Sequence, residues 1–407
     1  MMRLAVVLWM LSALGCVGRG HPQVGHAKEA QNSAVDSDKS SLVTSANKDF
    51  AYSLYKRLAA HADSQGKNIF YSPVSVSVAL AALSVGARGE THRQLFRGLG
   101  FENPELTQTD VNQAFQTLLA NTVSDENINE GTALFVDKLF KPQPDFLDVL
   151  KQSYFADGFS VNFTNTIESA NTINKYVADK TNGKINKLVD NLDERTLMFL
   201  VSYIYYKGKW KTPFEQELTK DDTFTVAENN TVSVQMMNKR DDFETYNDQA
   251  LHTSVLHLPL SGSYSMLLLL PQNMTALENG ISQADVTKWL KWMKSWRYNI
   301  YVPKFSIKTS FKLNDVLTEM GMTDMFSDRA DLSGISENLG VSEIVHQATL
   351  DVDEVGATAA AVTGVKFTPL SYYEPLVLKF NRPFMVIIVE RSTENVLFMG
   401  KIVNPNI

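Results

Sequence analysis

The most constraining feature of this sequence is an uncharged run of small residues, 355–365, between two segments with strand patterns. The segment before it, 342–353, alternates apolar and polar positions, and the apolar segment 376–379 follows later in the chain. The run contains no charge, no proline and no bulky aromatic residue. Long connections between strands are usually functional or mobile rather than inert filler. We therefore expect residues 355–375 to form a functional loop.

The chemistry of this run suits a strand that can become buried. Without proline, every residue can donate to a ladder, and without charge no ion has to be desolvated. The alternative is an Ala-rich surface helix, against which Gly356, Gly364 and the Thr and Val content count. Alternate positions, which would share one face of a strand, are all small: Ala357, Ala359, Ala361 and Thr363.

The N-terminal residues 1–20 have the pattern of a secretory signal peptide: a short basic start, an apolar stretch over 4–14 and small residues at the end. That stretch is shorter than a bilayer span, and no later apolar stretch reaches about 18 residues. We expect a secreted, extracellular protein without a membrane partner. The only cysteine, Cys16, would leave with the signal, and the polar, aperiodic segment 21–44 predicts a mobile tail.

Composition narrows the remaining classes. The chain has 407 residues, 44% of them hydrophobic and 20% charged, which excludes a wholly disordered chain, a collagen and a coiled coil. Its net charge of -7 argues against nucleic acid as a partner. No linker or repeat divides the chain, so we expect one large domain over 45–407. Helical patterns cover 50–58, 74–85, 111–119 and 285–296, and strand patterns cover 199–206, 254–258, 264–270, 376–379, 385–389 and 396–403.

Catalytic motifs are absent from the sequence. It contains no G-x-S-x-G, no H-E-x-x-H, no Walker loop and no G-x-G-x-x-G. His252 and His257 lie in or beside a predicted strand, without Cys or acidic partners at metal-ligand spacing. The sequence therefore predicts a protein that is not an enzyme and has no catalytic residues, no metal and no cofactor.

Three tryptophans, Trp289, Trp292 and Trp296, would share one face of the helix predicted over 285–296. Such a face can be a flat wall for a small apolar ligand, but apolar residues at this spacing usually pack on the core. We favour packing. Three Asn-x-Ser/Thr sequons are candidate glycosylation sites and should lie on the surface: Asn162, Asn229 and Asn273.

Six short motifs, in this order, form a specific set: NIFYSPVS at 68–75, TNGKI at 181–185, YKGKW at 206–210, ADLSG at 330–334, FNRPF at 380–384 and FMGK at 398–401. With them the sequence resembles the serpin family over 45–407, and within it the secreted α1-antitrypsin and α1-antichymotrypsin group. The loop TGVKFTPLS at 363–371 is similar to the antichymotrypsin-like branch. The resemblance implies an α+β fold with three β-sheets, eight or nine helices and an exposed reactive-centre loop.

The resemblance also implies a function. A serpin offers its loop as bait to a serine protease, forms an acyl-enzyme, and traps the protease when the cut loop inserts into the main sheet. By the family's spacing from the hinge residue Glu354, the scissile bond is Leu370–Ser371. A Leu suits a hydrophobic primary pocket, as in chymotrypsin-like proteases, cathepsin G or chymase, and elastase is also compatible. Lys366 lies too early to specify a trypsin-like target, while Tyr372 is the alternative site of attack.

Further residues match family positions in the hinge and in the region where the sheet opens. The hinge is Glu354, Gly356, Ala357, Thr358, Ala359, Ala360 and Ala361. The sheet-opening residues are Ser72, Ser75, Ser202, His346, Trp210 and Lys304. Relatives commonly carry Asn where Ser202 stands, so we expect a weaker or water-bridged contact there. Lys304 and Glu354 should form a surface-like pair that stabilises by no more than about 1 kcal/mol.

Two further expectations concern partners. Residues 106–121, which match the helix that binds heparin in some relatives, contain no Lys or Arg, so we expect no heparin activation. We expect a monomer whose partner is a serine protease. The competing hypothesis is a non-inhibitory serpin that carries a small hydrophobic hormone near Trp289 and Trp296.

Overall fold

The computed structural model describes residues 25–123, 125–355 and 374–407. The chain divides into two units, residues 1–38 and 39–407. The described backbone of the first unit is helical from residue 25 and belongs to the first helix. All described strands and the remaining helices belong to the second unit.

Nine α-helices occur in these residues: α1 Gly25–Ala60, α2 Pro73–Gly86, α3 Gly89–Gly98, α4 Gln108–Val123, α5 Pro144–Tyr154, α6 Thr166–Lys180, α7 Met274–Gly280, α8 Gln283–Trp292 and α9 Asn314–Glu319. The predicted helix over 74–85 is confirmed as α2, which begins at Pro73, where the missing N–H costs nothing. Nearly all of its residues are buried, as expected for a helix that is apolar all round. It contacts β2, β4 and β14, defined next, and so lies in the core.

The strands in the same residues are β1 Ile69–Tyr71, β2 Ile128–Asp137, β3 Asp157–Val161, β4 Met198–Lys207, β5 Lys220–Ala227, β6 Asn230–Asp248, β7 Thr253–Pro259, β8 Tyr264–Pro271, β9 Lys294–Pro303, β10 Phe305–Lys312, β11 Glu343–Val352, β12 Leu376–Lys379, β13 Phe384–Glu390 and β14 Val396–Ile402. Five of them form one sheet in the order β10-β11-β4-β2-β3. The others form a nine-stranded sheet in the order β1-β14-β13-β8-β7-β6-β9-β12, with β5 paired to β6.

The predicted α+β class is confirmed, but the sheet count differs from the expected three. Hydrogen bonds join the described strands into two sheets. The cause is β6, whose 19 residues pair first with β5, then with β9 and finally with β7. One long strand thereby links two sets of strands that would otherwise be separate sheets.

The described residues from 25 onward are helical and belong to α1. The sequence predicts a mobile tail over 21–44, and the mobility of this segment stays a prediction. Val43 is buried, and Lys39 Nζ lies 3.0 Å from Asp110 Oδ1 on α4. Between residues 39 and 49 only Val43 and Asn47 are buried, so the apolar periodicity becomes clear only from Phe50 onward.

Candidate functional site

The centre of the five-stranded sheet is a parallel pair, β4 and β11. The pairing runs from Phe199 with Glu343 to Lys207 with Asp351. The chain leaves β11 after Val352 and leads directly into the predicted loop. A parallel pair is slightly less stable per residue than an antiparallel one. We call this pair the seam, because it is where a further strand could enter the sheet.

Most predicted loop residues lie outside the described part of the chain. This holds for the predicted scissile bond, Leu370–Ser371, and for the hinge residues Gly356, Ala357, Thr358, Ala359, Ala360 and Ala361. Glu354 and Val355 are described, and they show how the loop begins. The roles assigned to the others remain predictions.

Trp210 holds the start of the loop at the end of the seam where β11 finishes. Its Nε1 donates to the carbonyl oxygen of Asp353 at 2.6 Å, and its backbone N–H donates to that of Val355 at 3.2 Å. The backbone N–H of Phe214 donates to the carbonyl oxygen of Glu354 at 3.1 Å. Three hydrogen bonds thus fix residues 353–355.

Glu354 is more deeply buried than the sequence prediction assumed. Its side chain is 5% exposed, and its Oε2 lies 2.7 Å from Lys304 Nζ. Its Oε1 accepts from Thr219 Oγ1, also at 2.7 Å. Burial alone would raise the pKa of Glu354, but the hydrogen bonds from Lys304 and Thr219 outweigh it, and the net pKa is lowered. The expectation of a surface-like pair therefore holds for Lys304, which is 37% exposed, and fails for the carboxylate of Glu354, which is buried.

Behind the seam, the N-terminus of α2 contacts His346 on β11. The backbone N–H of Ser72, the helix cap, donates to His346 Nε2 at 3.0 Å. His346 Nδ1 lies 3.0 Å from Ser202 Oγ on β4. Because Nε2 accepts, the neutral ring carries its proton on Nδ1 and donates it to Ser202. Full burial lowers the pKa of His346 to about 3, which keeps the ring neutral.

The Ser202–His346 contact joins the two strands of the seam directly. We expected a weak or water-bridged contact at this position, but the hydroxyl lies within direct hydrogen-bond distance of the ring. Both side chains are fully buried. This hydrogen bond must break when the strands of the seam separate.

The structure adds Glu130, a residue that the sequence prediction missed. It lies on β2, and its Oε2 accepts from Ser75 Oγ of α2 at 3.1 Å. Its Oε1 is buried and has no hydrogen-bond partner. Burial raises the pKa of this carboxyl to about 7, against the opposing effect of the Ser75 hydroxyl. The sequence did contain a sign of this contact. Glu130 lies an even number of residues from Leu134 and Val136, so it shares their face of β2, and those two side chains lie in the core with α2.

A second cluster contains Ser, His and Glu side chains. His257 Nδ1 lies 2.7 Å from Glu244 Oε2, and His257 Nε2 lies 2.8 Å from Ser265 Oγ. This spacing is typical of a nucleophile, a base and an orienting acid. Ser265, however, is fully buried on β8, which is paired on both sides. No substrate can reach the hydroxyl, so we interpret the cluster as structural.

The three tryptophans do not form one face. Helix α8 ends at Trp292, and Trp296 lies on β9, so the prediction of one helix over 285–296 is wrong at its end. Trp289 is fully buried and its Nε1 donates to Asp248 Oδ2 at 2.7 Å. Trp292 and Trp296 are exposed. Packing is thus confirmed for Trp289 alone.

The sequons differ in exposure. Asn229 is exposed in the turn between β5 and β6, and Asn273 is exposed at the cap of α7, where its side chain accepts from the N–H of Ala276. Asn162 is half-buried, and its Oδ1 accepts from Thr164 Oγ1 at 2.7 Å. All three have some surface access, as glycan addition requires.

In the described part of the chain, no helix is both long and apolar enough to cross a membrane. The same residues hold no group of three or more His, Cys, Asp or Glu side chains placed to bind a metal ion. Helix α4 contains no Lys or Arg. The expectation of no heparin activation stays a prediction.

Comparisons with known proteins agree with this geometry. A family model described as serpin (serine protease inhibitor) matches residues 45–405. An α1-antitrypsin-like protein of Tamias sibiricus is 40% identical over 408 residues, covering 98% of this chain and 97% of its own. A serine protease inhibitor of Mus musculus is 40% identical over 380 residues, covering 90% of each chain.

A solved structure is similar as well. Human thyroxine-binding globulin in complex with thyroxine matches with a TM-score of 0.84 at 34% identity, over 91% of this chain and 100% of its own. The match to the family model spans the strands of the seam, the Trp210 segment and α2. The chain therefore belongs to the serpin (serine protease inhibitor) family, in the group that resembles α1-antitrypsin and α1-antichymotrypsin.

Proposed function

We propose that this protein is a secreted inhibitor of serine proteases that acts as a suicide substrate. The observation that carries this proposal is the seam: β11 and β4 pair in parallel, and the loop continues directly from β11. A loop that turns back from the end of β11 runs antiparallel to both strands. It can therefore enter between them and form two antiparallel ladders in place of one parallel ladder.

The energy balance favours insertion. One parallel ladder is lost and two antiparallel ladders form, a net gain of about ten hydrogen bonds at about 1 kcal/mol each. The small residues of the run can enter without overpacking the sheet. A gain on the order of 10 kcal/mol is comparable with the whole stability of a domain, which is enough for a one-way change.

The chemistry of capture is an interrupted proteolysis. The protease serine attacks the carbonyl carbon of Leu370, the bond to Ser371 breaks, and the new amine of Ser371 leaves with the C-terminal segment. The acyl-enzyme then stays bound to the cut loop. Insertion carries the attached protease along the sheet and distorts its active site before water can release it.

We assign the target class to proteases with a hydrophobic primary pocket, such as chymotrypsin-like enzymes, cathepsin G or chymase, with elastase as a further member. Leu370 supports this assignment. The test is incubation with a panel of serine proteases, followed by denaturing electrophoresis. We expect an SDS-stable complex with the chymotrypsin-like members, and mass spectrometry of the released peptide should show Ser371 as its first residue.

A control variant separates inhibition from simple cleavage. Ala361→Arg places a charge in the segment that must enter the sheet, but leaves the scissile bond unchanged. We expect this variant to be cleaved without forming the complex. Cleavage of the wild type at Leu370–Ser371 without a stable complex would remove the inhibitor proposal. A first residue of Tyr373 in the released peptide would instead move the reactive bond to Tyr372.

The competing proposal is a carrier of a small hydrophobic hormone. A solved relative is described as complexed with thyroxine. In this chain, however, Trp289 is buried and hydrogen-bonded, so the aromatic wall that the proposal needs is incomplete. Titration with hormone-sized ligands, followed by tryptophan fluorescence, distinguishes the two functions.

We also propose that the protein acts outside the cell, as a monomer, after removal of residues 1–20. The pattern of the N-terminal residues and the surface access of Asn229 and Asn273 support this. Expression in mammalian cells tests it. We expect a protein in the medium that begins after residue 20 and loses mass when treated with an amidase that removes N-linked glycans.

A further inference from the structure

The N-terminal end of α2 contacts the five-stranded sheet on both sides of the seam. Ser72, at the N-terminus of α2, donates its N–H to His346 on β11. Ser75, in the first turn of the same helix, donates its hydroxyl to Glu130 on β2. Because β2 pairs with β4 along its length, it must move with β4 when the seam opens. The contact of Ser75 with Glu130 is therefore a link between the moving strands and the core.

Glu130 as a residue is half-buried, but the end of its carboxyl group has little hydration in the closed sheet. Oε2 has one hydrogen bond and Oε1 has none. A cavity of about 20 Å³ adjoins the side chain, lined among others by Val78, Leu119, Tyr154 and Phe155. This volume suits a single water molecule, far less hydration than a carboxylate has in solvent. The site tolerates a neutral carboxyl and disfavours an ionised one.

The titratable groups that the described residues place near Glu130 are three tyrosines: Tyr154 at the end of α5, Tyr203 on β4 and Tyr264 on β8. Burial raises the pKa of each tyrosine, so all three are neutral near pH 7. His346, which Ser72 of the same helix end contacts, is neutral as well, because burial lowers its pKa. Burial also raises the pKa of Glu130 to about 7, and the hydrogen bond from Ser75 only partly offsets this.

We propose that Glu130 is a positioning residue that sets how fast the sheet opens, and that loss of its proton loosens the closed sheet. This inference rests on the proposed function, since it concerns the opening step of loop insertion. The ionised carboxylate is destabilised as long as β2 holds it against α2. Movement of β2 and β4 away from α2 hydrates the carboxylate, so opening relieves the cost of ionisation. Protonation removes that cost and favours the closed sheet.

Peptide insertion tests this step without any protease. A synthetic peptide with the sequence of residues 357–368 is added to the full protein between pH 5.5 and 8.5, and its uptake is followed on native gels. We expect the rate of peptide uptake by the wild type to rise about tenfold with increasing pH, with a midpoint near pH 7. The carboxyl pKa differs by about 2.5 units between the buried and the hydrated state, which limits any such rise to roughly 300-fold. Glu130→Gln should give a flat, slow profile. The control Glu126→Gln removes an exposed carboxyl four positions away and should follow the wild type.

The outcomes separate this inference from the proposed function. Equal pH profiles for wild type and Glu130→Gln would overturn the inference alone. A wild type that takes up no peptide at any pH would overturn both the insertion mechanism and the inference.

Two further measurements exclude a merely structural role. Ser75→Ala removes the hydrogen bond that lowers the pKa of Glu130, so it should move the midpoint to higher pH. If Glu130→Gln fails to fold, infrared titration of the wild type replaces it. A band of a buried, protonated carboxyl should then disappear with a midpoint near pH 7 and shift in Ser75→Ala, and the absence of such a band would contradict the inference.

Discussion

The ion pair between Lys304 and Glu354, at the end of the seam where β11 finishes, gives the sharpest stability prediction. Lys304→Met removes the ammonium from Glu354 Oε2, which lies 2.7 Å from Lys304 Nζ in a site where the carboxylate is 5% exposed. A hydrogen bond between charged groups contributes about 1.5–3 kcal/mol when buried. Lys304 is 37% exposed, so solvent screens part of the interaction. We expect a loss of about 2 kcal/mol in the free energy of unfolding.

A double-mutant cycle isolates the pair from the individual side chains. Glu354→Gln keeps an acceptor for Thr219 but removes the charge, and the two variants together should show a coupling energy of about 1–2 kcal/mol. Urea unfolding, followed by circular dichroism and by fluorescence, measures it, provided that the two transitions coincide. Lys308→Met is the matched control, because Lys308 is an exposed lysine on β10, and its effect should stay within about 0.5 kcal/mol.

The pH dependence of the coupling has a definite sign. The pKa of Glu354 is lowered in the folded protein, so the pair stabilises above the unfolded pKa, and its contribution is lost as pH falls through the lowered folded value. The coupling energy should therefore be constant above about pH 5 and should disappear in strong acid. A coupling below about 0.3 kcal/mol at pH 7, or one that persists after Glu354 is protonated, would refute the role assigned to this pair.

Three further outcomes are expected. The pKa of His346 is lowered to about 3, so this ring by itself should cost the native state about 1.4 kcal/mol per pH unit as pH falls below about 6.5, while the raised pKa of Glu130 acts in the opposite direction. The stability slopes of wild type and His346→Gln, from denaturation at pH 4.5–6.5, should therefore differ by about 1.4 kcal/mol per pH unit. Gly400→Ala would drive a Cβ into the carbonyl oxygen of Ile69 and should lower the free energy of unfolding by at least about 3 kcal/mol. The control Gly340→Ala adds a Cβ that meets only ordinary contacts, so it should cost less than about 1 kcal/mol in the same assay. Leu370→Arg should shift inhibition toward trypsin by about 100-fold in the ratio of association rates, and an unchanged ratio would move the reactive bond elsewhere.

The elements that were predictable from sequence are those whose pattern is local. Helix α2 was predicted nearly to the residue, because its apolar run begins at a proline and ends at Gly86. Strand β4 was predicted because its residues are buried on both faces and rich in aromatic and β-branched types. Strand β9 was missed. Its Trp296 continues the helical spacing of the tryptophans in α8, while pairing with β6, far away in the chain, makes it a strand.

The candidate site shows the same division. The uncharged loop and its flanking strands are visible in the sequence, because the absence of charge and proline is a local property of the chain. The buried contacts are not visible, because they depend on which groups meet. Ser75 and Glu130 are 55 residues apart, and Ser72 and His346 are 274 apart. Nothing near Glu130 in the sequence shows that the first turn of α2 will lie against it.

The attachment of both halves of the central sheet to one helix end has a consequence for the lifetime of the unused molecule. A displacement of that helix end would loosen β11 and β2 together, so faster capture of a protease would come with faster spontaneous opening of the sheet in the unused inhibitor. The rate of protease capture and the lifetime of the unused inhibitor would then depend on the same free-energy barrier, the one for opening the sheet. Any lineage that tunes this inhibitor through α2 would have to trade one against the other.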